Sequence, residues 1–455
     1  MNYKRIPIKL YVLCMIAFSI GLVHLGCTHV KREFNRSLTK SEVAEPPGNY
    51  QAGVNMRLAG QVQFSAPRKK PVIEKTVEID MQNSRDVMVD SKGGVWFQSG
   101  SEGSSNPLFP IAFSTLTRLN PDGTGSWGKK LKSAYYIYPA LSCEGAVICW
   151  EHFMVGLGKG KVQLECVDLD GKTLWNTGSI NMVYGELARL SNDRFICNSY
   201  DNNNFNFSIY SLTDGKLLGT LDFPELYRCA DVGFRAPVEI PDSGWISFGE
   251  IPFEDDQSKE HSEYESHFKK ICRYSNQMEE IWKIDTESKY LLTHPILTND
   301  DALIFGGERF LAKINLSDGN IIWKNTDGCN FQPCGITTNK EIVLVYRDKS
   351  NESFLKVIDQ NGNDAWKGKY PCSRKFAEAV IIYKDNTVLF GHKEGLTLID
   401  KKGKIWEIST KELNLNPDDI FLNYWNLFPA PDNRIIASIK LSMKNSKIYF
   451  IKSPH

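Results

Sequence analysis

A single short phrase keeps returning along this chain, and its spacing is the strongest constraint on the fold. "VDLDGKTLW" is an apolar strand, an Asp, a turn with Gly171, and Trp175 four residues after the Gly. "RLNPDGTGSW" ends at Trp127, "INLSDGNIIW" at Trp323, "VIDQNGNDAW" at Trp366 and, one residue shorter, "LIDKKGKIW" at Trp406. Two degenerate copies complete the set: "YSLTDGKLLG" puts Gly219 at the Trp position, and "YSNQMEEIW" reaches Trp282 without the Gly. The intervals between closing positions are 48, 44, 63, 41, 43 and 40 residues. Self-similarity with a period in the forties indicates stacked supersecondary units, a propeller or a solenoid.

A second phrase interleaves with the first, a short turn followed by an apolar strand. It begins near residues 90, 142, 191, 241, 298, 338, 384 and 431, as in "DSKGGVWF", "TNDDALIFG" and "PDNRIIASI". β-Branched and aromatic residues fill the strands, and Gly, Asn and Asp hold the corners. The nearest thing to an amphipathic helix is the polar run 259–270. Each unit therefore reads as a small antiparallel sheet with two apolar faces. Such a sheet must be covered by neighbours, and a radial arrangement does this while leaving only short edges. Asp-Gly or Asn-Gly corners supply the positive backbone angles of tight hairpins. The Trp that follows is expected to wedge between neighbouring units, with its indole N–H reaching a backbone carbonyl.

Eight turn-strand copies stand against seven closing segments. After the eighth copy the chain has one more strand, "KIYFIKS" (446–452), and an unassigned strand, "PVIEKTVEID" (71–80), precedes the first. The economical expectation is an all-β, eight-bladed β-propeller over residues 71–455, its last blade completed by the N-terminal strand. Seven blades is the alternative, because the degenerate stretch 220–290 could hide an irregular unit.

With "VDLDGKTLW", "INLSDGNIIW" and "VIDQNGNDAW" in view, the chain resembles the quinoprotein-type (PQQ-like) β-propellers, which are WD40-like in architecture. The resemblance spans about 70–455. It speaks to fold rather than function, since such repeats serve dehydrogenases and scaffolds alike. The dehydrogenase branch implies a quinone over the axial channel, a vicinal Cys-Cys pair and a Ca²⁺ site. The other branch includes a lipoprotein that assists barrel assembly in the outer membrane.

Residues 1–27, "MNYKRIPIKLYVLCMIAFSIGLVHLGC", read as an export signal: Lys4, Arg5 and Lys9, then an apolar run, then Gly26-Cys27. The pattern resembles a bacterial lipoprotein signal, which implies acylation at Cys27 and anchoring by buried methylenes. An ordinary cleaved signal and an uncleaved anchor are the alternatives. Residues 28–70 read as a tether, with loop chemistry in "VAEPPGNYQAG" and "SAPRKKP". Formal charge is zero overall, yet residues 28–72 hold eight basic and three acidic side chains, and 73–455 hold 43 and 51. A basic stem thus meets a mildly acidic body, with no field to draw it onto nucleic acid.

Catalytic constellations are missing from the sequence. There is no Cys-Cys pair, no phosphate-binding Gly loop and no nucleophile elbow. "DLDG" at 168–171 lacks the ligand run of a calcium loop. His261 and His267 lie in the charged insertion 253–270, where solvation is the plainer reading. No cofactor and no metal are expected. Nine cysteines follow Cys27, and Cys329 and Cys334 in "DGCNFQPCG" form the best disulfide candidate. Binding is the preferred function. Irregular stretches at 99–114, 253–267 and 416–430 interrupt the repeat. In the last, Phe421, Tyr424, Trp425 and Phe428 crowd together, a pattern of interaction hot spots as well as of blade packing. The sequence therefore predicts a monomeric propeller anchored at the cell envelope, facing the periplasm or the exterior, that binds a protein or polymer without catalysis. Quinone- or metal-dependent catalysis in the axial channel, and capture of a small ligand or glycan there, are the alternatives.

Overall fold

A computed structural model describes residues 61–453 except for 63–64, 81–86, 91, 104–111, 133–139, 142–144, 155–158, 184–187, 191, 202–203, 222–236, 241–242, 251–267, 287–294, 299, 351, 373–379, 417–424, 431–432 and 442–444. The architecture is an all-β β-propeller built from antiparallel four-stranded sheets. In chain order the first joins Met88–Val89, Val95–Gly103, Ala112–Leu119 and Gly125–Lys132. The second joins Ala140–Leu141, Gly145–Met154, Lys159–Asp168 and Thr173–Val183. The third joins Ala188–Leu190, Arg194–Asp201, Asn204–Ser211 and Leu217–Leu221, and the fourth Val238–Ile240, Gly244–Glu250, Phe268–Tyr274 and Glu280–Asp285. The fifth joins Ile296–Leu297, Ala302–Gly306, Leu311–Asn315 and Ile321–Asn325, and the sixth Cys329–Ile336, Ile342–Arg347, Ser353–Ile358 and Tyr370–Pro371. The seventh joins Val380–Tyr383, Val388–His392, Gly395–Asp400 and Gly403–Ser409. The eighth joins Trp425–Ala430, Arg434–Lys440 and Asn445–Lys452 to the N-terminal strand Val72–Asp80.

That last pairing runs antiparallel from Val72 opposite Lys452 to Asp80 opposite Asn445. The two ends of the described chain therefore share one sheet, and a free edge is removed at the seam. A further two residues, Gln61–Val62, lie parallel to Val380–Tyr383 on the edge of that strand that its own hairpin leaves open.

First strands touch first strands of neighbouring sheets: Met88–Val89 and Val380–Tyr383 both meet Trp425–Ala430, and Cys329–Ile336 meets Ile296–Leu297 and Val380–Tyr383. They crowd the axis, while last strands form the rim. Burial follows this order, with Val380–Tyr383 buried throughout and Leu217–Leu221 half or fully exposed. Apolar cores lie between consecutive sheets. Leu164 and Cys166 of the second pack with Phe195 and Tyr210 of the third. Ile246 and Ile271 of the fourth pack with Leu303 and Phe305 of the fifth. Leu396 and Leu398 of the seventh pack with Ile435 and Tyr449 of the eighth.

The corner chemistry of the repeat is visible atom by atom. Asp168 Oδ1 accepts from Asp170 N at 2.9 Å and Lys172 N at 2.8 Å, and Asp359 does the same for Asn361 and Asn363. The repeated Asp is thus the cap of its own turn. Gly171 adopts φ 86° and Gly215 φ 69°, where a side chain is disfavoured.

The indoles reach across to the next sheet. Trp127 Nε1 donates to Leu169 O at 2.7 Å, Trp175 to Leu212 O at 2.9 Å, Trp282 to Leu316 O at 2.7 Å, and Trp323 to Gln360 O at 2.7 Å. Each indole also lies against the corner Gly of that sheet. A Cβ at Gly171 would sit 2.8 Å from Trp127 Cδ2, one at Gly215 2.4 Å from Trp175 Cε3, and one at Gly319 3.0 Å from Trp282 Cδ2. The repeated phrase is therefore two halves of one joint, an indole on one sheet and its glycine seat on the next.

Departures from the phrase come in matched pairs. Where Gly219 replaces the indole, the facing corner carries Met278 at φ 65° in place of Gly, and an Arg194–Glu239 ion pair links those sheets. Trp366 departs from the expected role. Its Nε1 donates to Glu341 Oε2 at 2.9 Å within its own sheet, because the chain after Gly362 folds back on Val357 and begins its last strand only at Tyr370. Accordingly, nothing lies within 4 Å of a Cβ at Gly403. Thr338 Oγ1 donating to Lys384 O, and a Lys401–Glu341 pair at 3.7 Å, bridge that junction. Trp406 donates to Pro67 O at 2.7 Å, since the N-terminal segment supplies the corner of the eighth sheet. At the seam, Phe450 and the Lys75 stem cover Gly123 in place of an indole.

Candidate functional site

Two members of the aromatic cluster expected to bind a partner, Trp425 and Phe428, are core. Trp425 is 1% and Phe428 4% exposed, and Trp425 Nε1 donates to His392 O of the seventh sheet at 3.1 Å. These residues sit on the first strand of the eighth sheet, against the axis, where both faces are covered, so aromatic crowding here served packing. Tyr424 and Phe421 lie outside the described residues, as do Cys27, His261 and His267. The tether expected to run to residue 70 is already engaged on the ring at Gln61–Val62.

The disulfide candidate is also corrected. Cys329 and Cys334 are free thiols on one strand, Cys329–Ile336. Cys329 pairs with Arg347, while Pro333 and Gly335, on either side of Cys334, pair with Leu344 and Val343; three or more ladder positions put the two on the order of 10 Å apart, beyond the ~6 Å between Cα atoms that a bridge needs. Cys334 is buried, its Sγ lies 3.3 Å from Gln332 O, and burial pushes its thiol up to about 12. Cys166 and Cys197 pack as small apolar residues between the second and third sheets.

Two buried polar centres serve structure. Asp90 accepts from Gly94 N, Lys92 N, Trp96 Nε1 and Arg118 Nε, the last at 2.7 Å, all within the first sheet. Arg118 also lies over the Trp96 ring, 5.9 Å from its centroid. His392, in the hairpin of the seventh sheet, accepts from Glu394 N at Nδ1 and places Nε2 2.8 Å from Thr397 Oγ1. Burial holds its pKa below the ordinary histidine value. Among the described residues, no group of three or more His, Cys, Asp or Glu side chains is arranged to hold a metal. Nor is any helix among them long and apolar enough to cross a membrane.

The feature that sequence reading missed lies on the rim. Leu174, Leu217, Leu218, Ile281, Ile321 and Ile322 are exposed by 44–56%, all on last strands of the second to fifth sheets. Leu174, Leu218, Ile281 and Ile322 each immediately precede the closing position of their repeat, so they share one register on four consecutive units. The equivalent residues of the other repeats are Ser126, Ala365 and the partly buried Ile405. Aligning the residue before each closing position would have found this row. Alternation along each last strand explains it: the Trp face turns to the next sheet and the neighbouring face to solvent. Scattered exposed leucines need no explanation; these large aliphatics instead recur at one register on four consecutive units.

No protein-family model matches the chain, and no characterised protein matches it in sequence. Solved structures do match. The Dos1 propeller is 10% identical, covering 84% of this chain and 95% of its own, with a TM-score of 0.50. BamB from Moraxella catarrhalis is 11% identical over 74% of this chain and all of its own, with a TM-score of 0.40. A eukaryotic initiation factor is 10% identical over 80% and 84%, with a TM-score of 0.46. At such identities the likeness to the Dos1 propeller speaks for the fold alone.

Proposed function

We propose that this protein is a non-catalytic β-propeller of the quinoprotein-like type, exported and lipid-anchored through Cys27, that docks a protein partner along its rim. The observation that carries the binding assignment is the row Leu174, Leu218, Ile281 and Ile322, with Leu217 and Ile321 beside it. Burying such a row yields on the order of 25 cal/mol per Å² of apolar area, which favours docking over solvation. The proposal includes a ring of eight blades, supported by the eight sheets among the described residues and by a contact at each junction between consecutive ones. Anchoring rests on the sequence of residues 1–27 and its Gly26-Cys27 end.

Site-specific photocrosslinking tests the docking surface in cells that express the full chain. A photoreactive residue at Leu217 or Ile321 should give a discrete adduct that Leu218→Glu with Ile322→Glu abolishes. Adducts of equal yield from the double variant would sink the rim as the docking surface. Cys27→Ser should move the protein out of the membrane fraction, and its retention there would refute lipid anchoring.

A further inference from the structure

Residues 61–62 and 65–70 are held on the seventh sheet by contacts that resemble those of a bound peptide. Gln61–Val62 pairs in parallel with Ile382 and Tyr383, adding a strand to the axial edge of Val380–Tyr383. Ala66 N donates to Asp385 Oδ1 at 3.4 Å. Pro67 O accepts the Trp406 indole N–H at 2.7 Å. Arg68 Nη2 meets Asp385 Oδ2 at 3.0 Å and Nη1 meets Asp400 Oδ2 at 3.4 Å. Lys70 Nζ lies 2.5 Å from Glu412 Oε1, and that pairing holds the Glu412 carboxyl down at about 2.

These groups form a recognition set: a free strand edge for main-chain pairing, an indole donor for a carbonyl, and three carboxylates for two cations. Strand addition supplies affinity without sequence preference, and the charges supply the preference. Ala66 and Pro67 are buried, whereas Arg68 and Lys70 are exposed. The cations thus grip from outside a seated backbone. Asp385 and Asp400 keep structural duties of their own, accepting from Thr387 Oγ1 and Lys402 N.

We infer that the axial edge of Val380–Tyr383, with Trp406, Asp385, Asp400 and Glu412, is a binding site for an extended basic peptide, and that residues 61–62 and 65–70 occupy it in cis. A tethered occupant acts at an effective concentration on the order of millimolar, so a free peptide at micromolar levels finds the site filled. Opening the site requires loosening that segment. This inference does not depend on the rim row or on the anchor.

The probe is a fluorescent peptide with the sequence of residues 58–71. Wild-type full-length protein should bind it negligibly at micromolar concentration. The full chain carrying Arg68→Glu and Lys70→Glu should bind it at least tenfold more tightly. Adding Asp385→Asn and Asp400→Asn, which keep the acceptors for Thr387 and Lys402, should cancel that gain. Binding of the charge-reversed chain no tighter than wild type, or a gain that survives the Asn pair, overturns the inference. Wild-type protein provides a second readout that needs no variant. Deuterium uptake across 58–70 should rise as the peptide is titrated through about 1 mM. A peptide with Glu at the three basic positions should leave it flat. No rise with the basic peptide, or an equal rise with both, overturns the inference as well.

Discussion

Gly215→Ala is the sharpest perturbation of the indole joint. Gly215 has φ 69°, and a Cβ there would lie 2.4, 2.8 and 2.9 Å from Trp175 Cε3, Cδ2 and Cζ3. A side chain in the left-handed region costs about 1–2 kcal/mol. Pushing a methyl group into an indole that is hydrogen-bonded to Leu212 O adds about 1–3 kcal/mol of overpacking. The expected loss is about 2–5 kcal/mol. Gly178 offers an internal control, with φ 68° and nothing within 4 Å of its Cβ. Gly178→Ala shares the backbone strain and the entropic effect on the unfolded chain, and lacks the collision. It should therefore cost only about 1–2 kcal/mol. Urea unfolding of both variants, followed by a double-mutant cycle with Trp175→Ala, separates the contributions. Trp175→Ala alone should cost about 3 kcal/mol. In its background Gly215→Ala should fall to the level of Gly178→Ala, giving a coupling of about 1–3 kcal/mol. Equal losses for Gly215→Ala and Gly178→Ala, or zero coupling, would refute the joint.

Three further outcomes follow from buried groups. Asp90→Ala strips four donors of their acceptor and leaves Arg118 uncompensated at 6% exposure, so it should cost about 3–5 kcal/mol in urea unfolding. His392 is held below its unfolded value of about 6.5, so the unfolded chain binds the extra proton first. Stability should therefore decline as pH falls through 6.5 toward the lowered native pKa, by at most ~1.4 kcal/mol per pH unit, and His392→Gln should flatten that slope. A non-reducing peptide map should show no Cys329–Cys334 link, and Cys329 should alkylate in the native protein well before buried Cys334.

Much of the architecture was legible because the repeat states both halves of each joint. Asp168, Gly171 and Trp175 are adjacent in sequence, and each has a local reason: a turn cap, a positive φ and a reach to the next corner. Closure by Val72–Asp80 followed from counting turns against closing segments. What stayed hidden depended on contacts between distant residues. Trp366 carries the repeat spelling, yet a local fold-back on Val357 redirects its indole to Glu341. Trp425 and Phe428 looked like an anchor because composition does not tell an axial strand from a surface loop. The Arg68 contacts to Asp385 and Asp400 span more than 300 positions of chain, and no local pattern announces them. The rim row was within reach of sequence, since Leu174 and Ile322 occupy one repeat position, but the Trp beside them carries the stronger repeat signal.

The first and last strands of the described ring share one sheet. Glu78 and Lys447 face each other there, with Lys447 Nζ 3.2 Å from Glu78 Oε1. Oxidation of the full chain carrying Glu78→Cys and Lys447→Cys, followed by proteolysis and mass spectrometry, reads that pairing directly. The closed ring predicts an intramolecular link between the peptides around 78 and 447. Recovery of those two cysteines unlinked, or joined only between chains, would contradict it.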